Sequence, residues 1–317
     1  MLKTWLKAML VNQWPKNAFV LMAWFFAFGD MTQTDAIRGF RGTLLAVGMA
    51  ASFCLVCSSF YLYNDVCDYD ADRAHPQKKF RPIAAGLISK EAAVRAALML
   101  FGLGMVVPSV SVMRHPDRMA AFGTILAYSL LQCFYTGLLK RVPYVDVVVI
   151  AVGFVLRAVA GAAVINARIS PWLLACTFAL SLFLALAKRR HEKVLSETAG
   201  ETRKGEFREA LAGYHLRVID VLMLISAIAT VGVYVCYTLL SEMGARFPLL
   251  VWTGLFVAAG IVRYLVLVYR HADVGRPEKV LYSDRILWVI LVGYAFMAVY
   301  AVMFPQLIII SDLRLAE

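Results

Sequence analysis

Long polar stretches are what this sequence lacks. The longest, about residues 188–216, is too short for a soluble domain, and there is no clear short-period repeat or low-complexity tract. Histidine is scarce: His75, His115, His191, His215 and His271 are scattered at loops without metal-ligand spacing, and none is assigned a site. No obvious Ser/His/Asp set offers a side-chain nucleophile. Cysteine numbers six; five lie in apolar runs and Cys67 lies in a charged segment. Cys54 and Cys57 form a CxxC inside an apolar helix with no further ligand nearby in sequence, which reads as packing, not metal or redox chemistry.

What is present is apolar length. Hydrophobic residues make up 61% of 317, more than a soluble fold can hide, so the expectation is an all-α integral membrane protein. Nine runs are long enough to span ~30 Å of hydrocarbon: roughly 17–37, 42–63, 90–112, 117–138, 144–166, 170–187, 218–240, 247–269 and 285–310. The domain reading is an interfacial helix over 1–16, one nine-helix body over 17–310 and a tail over 311–317. In the first segment Leu2, Trp5, Leu6, Met9 and Leu10 form one stripe with Lys3 and Lys7 off it, which suits a helix lying in the membrane surface and stopped near Pro15.

Charge placement gives orientation. Odd-numbered connections carry only Arg38, Arg41, Arg114, Arg118, Arg168 and Arg246, while most of the 32 Lys and Arg sit in the N-terminal segment and the even connections. The positive-inside rule makes those cytoplasmic, in a bacterial inner membrane. The net charge of +11 is then a cytoplasmic field, suited to lipid headgroups or a phosphorylated substrate; no nucleic-acid partner is implied.

The stretch "YLYNDVCDYDADRAHPQKKFRPIAAG", Tyr61 to Gly86, concentrates charge at the end of the second run. If the helix continues, Asn64, Asp65, Asp68 and Asp72 share a sector about 100° wide, and Asp70 points away. Like charges that close need a cation, and oxygen-only ligands suit Mg²⁺ shared with phosphate. Arg73, Lys78, Lys79 and Arg81 follow as phosphate donors, in a loop held by Pro76 and Pro82. A solvated, self-neutralising loop is the bland alternative; one-sided spacing at a membrane helix end argues against it.

The motif Asn64-Asp65-x-x-Asp68-x-x-x-Asp72-Arg73 followed by "RPIAAG" resembles the first aspartate-rich motif of the UbiA superfamily of membrane prenyltransferases. The resemblance implies a nine-helix bundle with a cytoplasm-facing polar cavity, Mg²⁺ held by Asp65, Asp68 and Asp72, and Asn64 as a neutral helper. Prenyl-diphosphate users carry a second aspartate motif after the sixth span; here that place reads "LALAKRRHEKVL", with no aspartate. The stretches "NQWPKN" (Asn12–Asn17), Tyr135–Gly161 and Ser170–Glu192 are similar to the decaprenyl-phosphate phosphoribosyltransferase branch. That branch moves 5-phosphoribose from phosphoribosyl pyrophosphate to a polyprenyl phosphate, toward lipid-linked arabinofuranose for cell-envelope glycans.

Donor binding then falls to Lys78, Lys79 and Arg81 near the pyrophosphate, and to Lys188, Arg189 and Glu192 for the ribose phosphate or hydroxyls. Tyr135 and Lys140 match the family's Tyr-x-x-x-x-Lys pattern, which adds a phosphate role to Lys140, otherwise a flanking charge. Asp146 either binds donor hydroxyls or pairs with a cation. Arg157 lies ~24 Å beyond Arg141, deep for a cytoplasmic donor, and is read as structural, bonding backbone carbonyls. The eighth connection, residues 270–285, is either a lid or a solvated loop. Two other readings stay open. An aromatic prenyltransferase of quinone or haem biosynthesis would need the missing second motif. A transporter would place charge near the midplane, where only Arg157 sits. A homo-oligomer is left open.

Overall fold

A computed structural model describes residues 1–29, 39–75, 78–168, 170–198, 209–270 and 284–304. These residues are almost all helical and contain no strand. Eight helical segments among them are long and apolar enough to cross a membrane. The tail over 311–317 and most of the eighth connection lie outside the described residues.

The contacts divide the chain into two compact units. The first, up to residue 168, holds α1 (Leu2–Ala8), α2 (Met22–Gly29), α3 (Phe40–Cys67), α4 (Tyr69–Ala74), α5 (Lys90–Gly104), α6 (Val106–Arg114), α7 (Met119–Gly137) and α8 (Val145–Val164). The second, from Ser170 on, holds α9 (Pro171–Thr198), α10 (Leu216–Leu240), α11 (Glu242–Arg246), α12 (Thr253–Arg270) and α13 (Arg285–Met303).

The start differs from expectation. The interfacial α-helix does not reach Pro15; it ends at Ala8, and Leu10 takes a left-handed conformation (φ 49°). A 3-10 segment then runs Val11–Leu21 through Pro15. Pro15 has no N–H to give. The expected first span, 17–37, is therefore this segment plus α2, with 30–38 outside the described residues, and a ninth membrane-length helix is not among them. At the sixth span the opposite holds: α9 runs eleven residues past the expected end at 187, to Thr198. Its charged end is therefore helical.

In the first unit the core joins Val20, Met49, Phe53, Val56, Ile125, Tyr128 and Val164. A second cluster, Ala8, Leu62, Ile83, Ile88, Ala93 and Ala97, sits under the aspartate stretch. In the second unit α13 turns Val289, Val292 and Phe296 outward at i, i+3 and i+7, an apolar face fit for lipid.

Gly161 is where α8 meets the N-terminal segment. A Cβ there would lie 1.8 Å from the Val20 carbonyl oxygen, inside its van der Waals surface. Gly102 on α5 has nothing within 4 Å of such an atom. Gly161→Ala is therefore expected to lose about 1–3 kcal/mol or more to overpacking, while Gly102→Ala gains about 0.5–1 kcal/mol of helix propensity. Thermal unfolding of both variants in the same detergent checks the pair: equal midpoints would refute the close approach at Val20.

Candidate active site

α3 carries no carboxylate or amide side chain before its last turn, which holds Asn64 and Asp65. The helix is interrupted at Asp68 (φ −91°, ψ 11°) and resumes as α4, but its hydrogen-bond spacing survives. The Asp68 N–H donates to the Asn64 carbonyl at 2.9 Å, and the Asp72 N–H to the Asp68 carbonyl at 2.8 Å. Asn64, Asp68 and Asp72 thus stay stacked four residues apart, with Asp65 beside them. Asp70 is exposed on the other side. Asp65 and Asp72 are 7% and 2% exposed, too buried to stand as bare carboxylates.

Two cations answer them. Arg81 Nη1 donates to Asp65 Oδ1 and to Asp72 Oδ2, each at 2.8 Å. Lys140 Nζ donates to Asn64 Oδ1 at 3.1 Å and to both Asp68 oxygens at 2.8 and 2.9 Å. Arg81 is presented by a local fold of the "RPIAAG" stretch, not by an open loop. A 3-10 turn over Lys78–Phe80 leads into backbone bonds from Ala85 to Arg81 and from Leu87 and Ile88 to Pro82. Gly86 closes the turn at φ +74°, a conformation glycine takes without strain. Ile83 (0% exposed) and Ile88 (5%) plug the turn into the core beside Leu62.

The remaining expected residues vary. Lys78 is half-buried; its backbone N–H donates to His75 Nδ1 and its carbonyl accepts from the Arg81 N–H at 2.8 Å. Lys79 is exposed, its ammonium 5.3 Å from the Phe80 ring centre. Tyr135 is half-buried near the end of α7. Asp146 is fully buried in the first turn of α8, where the helix dipole favours a carboxylate. In the second unit, Arg189 is 2% exposed and donates to Glu192 Oε2 at 2.5 Å. Glu192 is thus held by Arg189, three residues back, and Lys188 is half-buried.

Among the described residues no three His, Cys, Asp or Glu gather around one point. The oxygens converge in two pairs, Asp65 with Asp72 and Asp68 with Asn64, each on one cationic nitrogen. Mg²⁺ is commonly held by one or two carboxylates plus substrate phosphate, so all-oxygen pairs of this kind fit it.

Sequence reasoning found Arg157 but missed its partners. It donates from Nε to Asn17 Oδ1 (2.8 Å), from Nη1 to the Gly153 carbonyl (2.9 Å), and from Nη2 to Tyr128 Oη (2.8 Å) and Cys57 Sγ (3.3 Å). Asn17 Nδ2 also donates to Cys54 Sγ at 3.3 Å. The CxxC thiols are thus part of a polar knot as well as packing. The only prior signal for Asn17 was its place in "NQWPKN"; nothing pointed to Tyr128.

The UbiA prenyltransferase family profile matches residues 17–291, and the chain belongs to that family. Decaprenyl-phosphate phosphoribosyltransferase from Corynebacterium glutamicum is 32% identical over 94% of this chain and 86% of its own length. The enzyme of the same name from Mycobacterium tuberculosis is 32% identical over 91% and 93%. Among solved structures, a UbiA homologue from Archaeoglobus fulgidus bound to DMAPP and Mg²⁺ has the same fold, with a TM-score of 0.65 at 17% identity over 95% of this chain and 97% of that one.

The Arg157 knot yields a stability prediction. Tyr128→Phe removes one acceptor of a buried charge and should cost about 1–3 kcal/mol. Arg157→Lys cannot reach three directions at once and should cost more. Unfolding midpoints in a common detergent decide this; a neutral Arg157→Lys would mean the guanidinium fork is not what the site needs.

Proposed function

We propose that the chain transfers 5-phosphoribose from phosphoribosyl pyrophosphate to a polyprenyl phosphate of the decaprenyl type, releasing pyrophosphate at the cytoplasmic face of a bacterial inner membrane. The observation that carries the reading is the Asn64/Asp65/Asp68/Asp72 face closed by Arg81 and Lys140, in a chain whose relatives of matching length bear that activity in their names. The absence of aspartate from the charged end of α9 supports a donor with only one pyrophosphate-binding motif to satisfy. It disfavours an aromatic prenyltransferase.

Asp65 with Asp72, and Asp68 with Asn64, would hold Mg²⁺, as the Mg²⁺-bound Archaeoglobus homologue supports for the fold. Bound Mg²⁺ would stabilise the charge of departing pyrophosphate. Arg81 and Lys140, already at the carboxylates, take the donor's anionic oxygens through charge-assisted bonds. Lys78 and Lys79 follow on the same loop. A phosphate monoester is largely dianionic at neutral pH, with a second pKa about 6, so the acceptor oxygen needs no general base. That oxygen forms its bond to the anomeric carbon as the bond to pyrophosphate breaks on the opposite side, inverting the centre. The chain's task is to hold the two anions in line and keep water out. Lys188 meets the 5-phosphate, and Arg189 fixes Glu192 for a donor hydroxyl; Tyr135 and Asp146 complete the expected binding set.

Purified protein given labelled phosphoribosyl pyrophosphate and a polyprenyl phosphate should yield a labelled lipid, and chelator should stop it. Labelling from a prenyl diphosphate onto an aromatic acceptor instead would overturn the reading. Asp65→Asn and Asp68→Asn should each cost about two to three decades in kcat, the scale for one preorganised charge-stabilising group. Asp70→Asn should stay within about twofold, as an exposed change does. Equal damage from Asp70→Asn would refute the helix-face assignment.

Lys188→Ala should weaken the donor by about 10- to 150-fold, the worth of roughly 1.5–3 kcal/mol for a charge-assisted bond. The penalty should largely vanish on a ribosyl pyrophosphate lacking the 5-phosphate. An equal penalty on both donors would move Lys188 away from that phosphate.

A further inference from the structure

The apolar stripe of α1 reads in sequence as a membrane face, but the structure splits it. Leu2 and Leu6 remain exposed, at 73% and 39%. Trp5, Ala8 and Met9, spaced i, i+3, i+4, turn inward onto the cluster of Leu62, Ile83 and Ile88. Ala8 is 1% exposed. Ile83 is two residues after Arg81, and Leu62 three before Asp65, so this cluster is the floor of the acidic site. Lys7 Nζ also donates to the Phe80 carbonyl, immediately before Arg81, at 3.3 Å.

The other end of the segment is tied to the membrane helices. Ser58 Oγ donates to the Met9 carbonyl at 2.8 Å and accepts from Trp14 Nε1 at 3.0 Å. Asn17 is 2% exposed and bonded to Arg157 and Cys54. Val20 rests against Gly161. The arm is pinned to α3 and α8 and presses on the turn that carries Arg81.

We infer that the arm from Trp5 to Asn17 is a positioning element for Arg81, setting where its guanidinium stands over Asp65 and Asp72 and hence how tightly the donor binds. Arg81 itself needs such support: its side chain is 37% exposed and sits on a short turn. Charge-binding groups must be held to within about 0.5 Å, and a misplacement near 1 Å costs on the order of 10²-fold. A plain membrane anchor would need only the outward residues and would be indifferent to the inward ones. The inference rests on the proposed donor site.

The test compares the two sides of α1. Ala8→Leu overfills the inward face, and Trp5→Ala empties it; Leu2→Gln with Leu6→Gln alters only the exposed face. Donor KM, acceptor KM and kcat are measured for each, with Ala8→Ser as the conservative variant. KM does not depend on the folded fraction, so a merely structural loss lowers Vmax alone. Ala8→Leu and Trp5→Ala should raise donor KM roughly tenfold or more, leave acceptor KM within about twofold, and be matched by neither Ala8→Ser nor the outward pair. In an Arg81→Lys background the Ala8→Leu penalty should shrink, because both changes act on one contact. An unchanged donor KM in both inward variants, or a full penalty retained in Arg81→Lys, overturns the inference. If wild type transfers nothing from phosphoribosyl pyrophosphate, the donor reading fails separately. The same variants are then read by calorimetry with Mg²⁺–pyrophosphate, where weaker binding by Ala8→Leu and Trp5→Ala still supports the arm and unchanged binding refutes it.

Discussion

Carboxylates cannot be buried at the end of an apolar helix unless cations are brought to them, and much of the first unit serves that need. Asp65 and Asp72 have lost nearly all their water. The compensation comes from outside their own helix. Arg81 reaches them from a turn closed by Gly86 and plugged by Ile83. Lys140, from the connection between α7 and α8, reaches Asp68 and Asn64 from 72 and 76 residues away in sequence. Breaking such a pair from one side leaves an uncompensated buried charge, which costs more than the pair contributes. The turn, the short connection and the helix end are therefore constrained together. The same pairs present cationic donors and carboxylate acceptors side by side.

Deeper in the same unit, Arg157 meets the constraint differently. Its named hydrogen-bond partners are an amide, a phenol, a thiol and a carbonyl, all neutral groups, with the rings of Phe53, Tyr128 and Phe154 within 6 Å. Hydrogen bonds and ring faces spread the charge. The site near Asp65 uses opposite charges that a substrate can engage, whereas Arg157 uses fixed dipoles that hold four elements together. That contrast separates an arginine paired with carboxylates from one held by neutral groups.

The sequence made the site's helical face legible because it is local: Asn64, Asp68 and Asp72 repeat at four residues, and only helical period is needed to align them. Arg81 was legible as a phosphate donor but not as the partner of Asp65 and Asp72, since its reach depends on a turn whose geometry no periodicity encodes. Lys140 carried a family pattern, yet its contact is long-range. The inward side of the arm was hidden for a plainer reason. A stripe of Leu2, Trp5, Leu6, Met9 and Leu10 looks the same whether it meets lipid or protein, and the small Ala8 that marks the protein side adds nothing to hydrophobic pattern. The interrupted start was illegible likewise, because a leucine in the left-handed conformation, as Leu10 is, has no signature in its side-chain type.

The charged end of α9 shows why a run of like charges is not a unit of function. Lys188, Arg189, Arg190 and Lys193 are neighbours in sequence, but at 100° per residue they leave the helix in different directions. Arg190 donates to Asp220 at 2.6 Å and lies 4.1 Å from the Tyr269 ring centre, tying α9 to α10 and α12. Lys193 donates to the Leu211 carbonyl at 3.0 Å. Arg189 turns to Glu192. A second acidic motif here would have to replace cations that already hold helices. Arg263 makes the same kind of tie to Asp284 in two bonds, and that hydrogen bonding holds the Asp284 carboxyl below its usual range. The second unit therefore uses Arg190, Lys193 and Arg263 to join its elements, and Arg189 to hold Glu192.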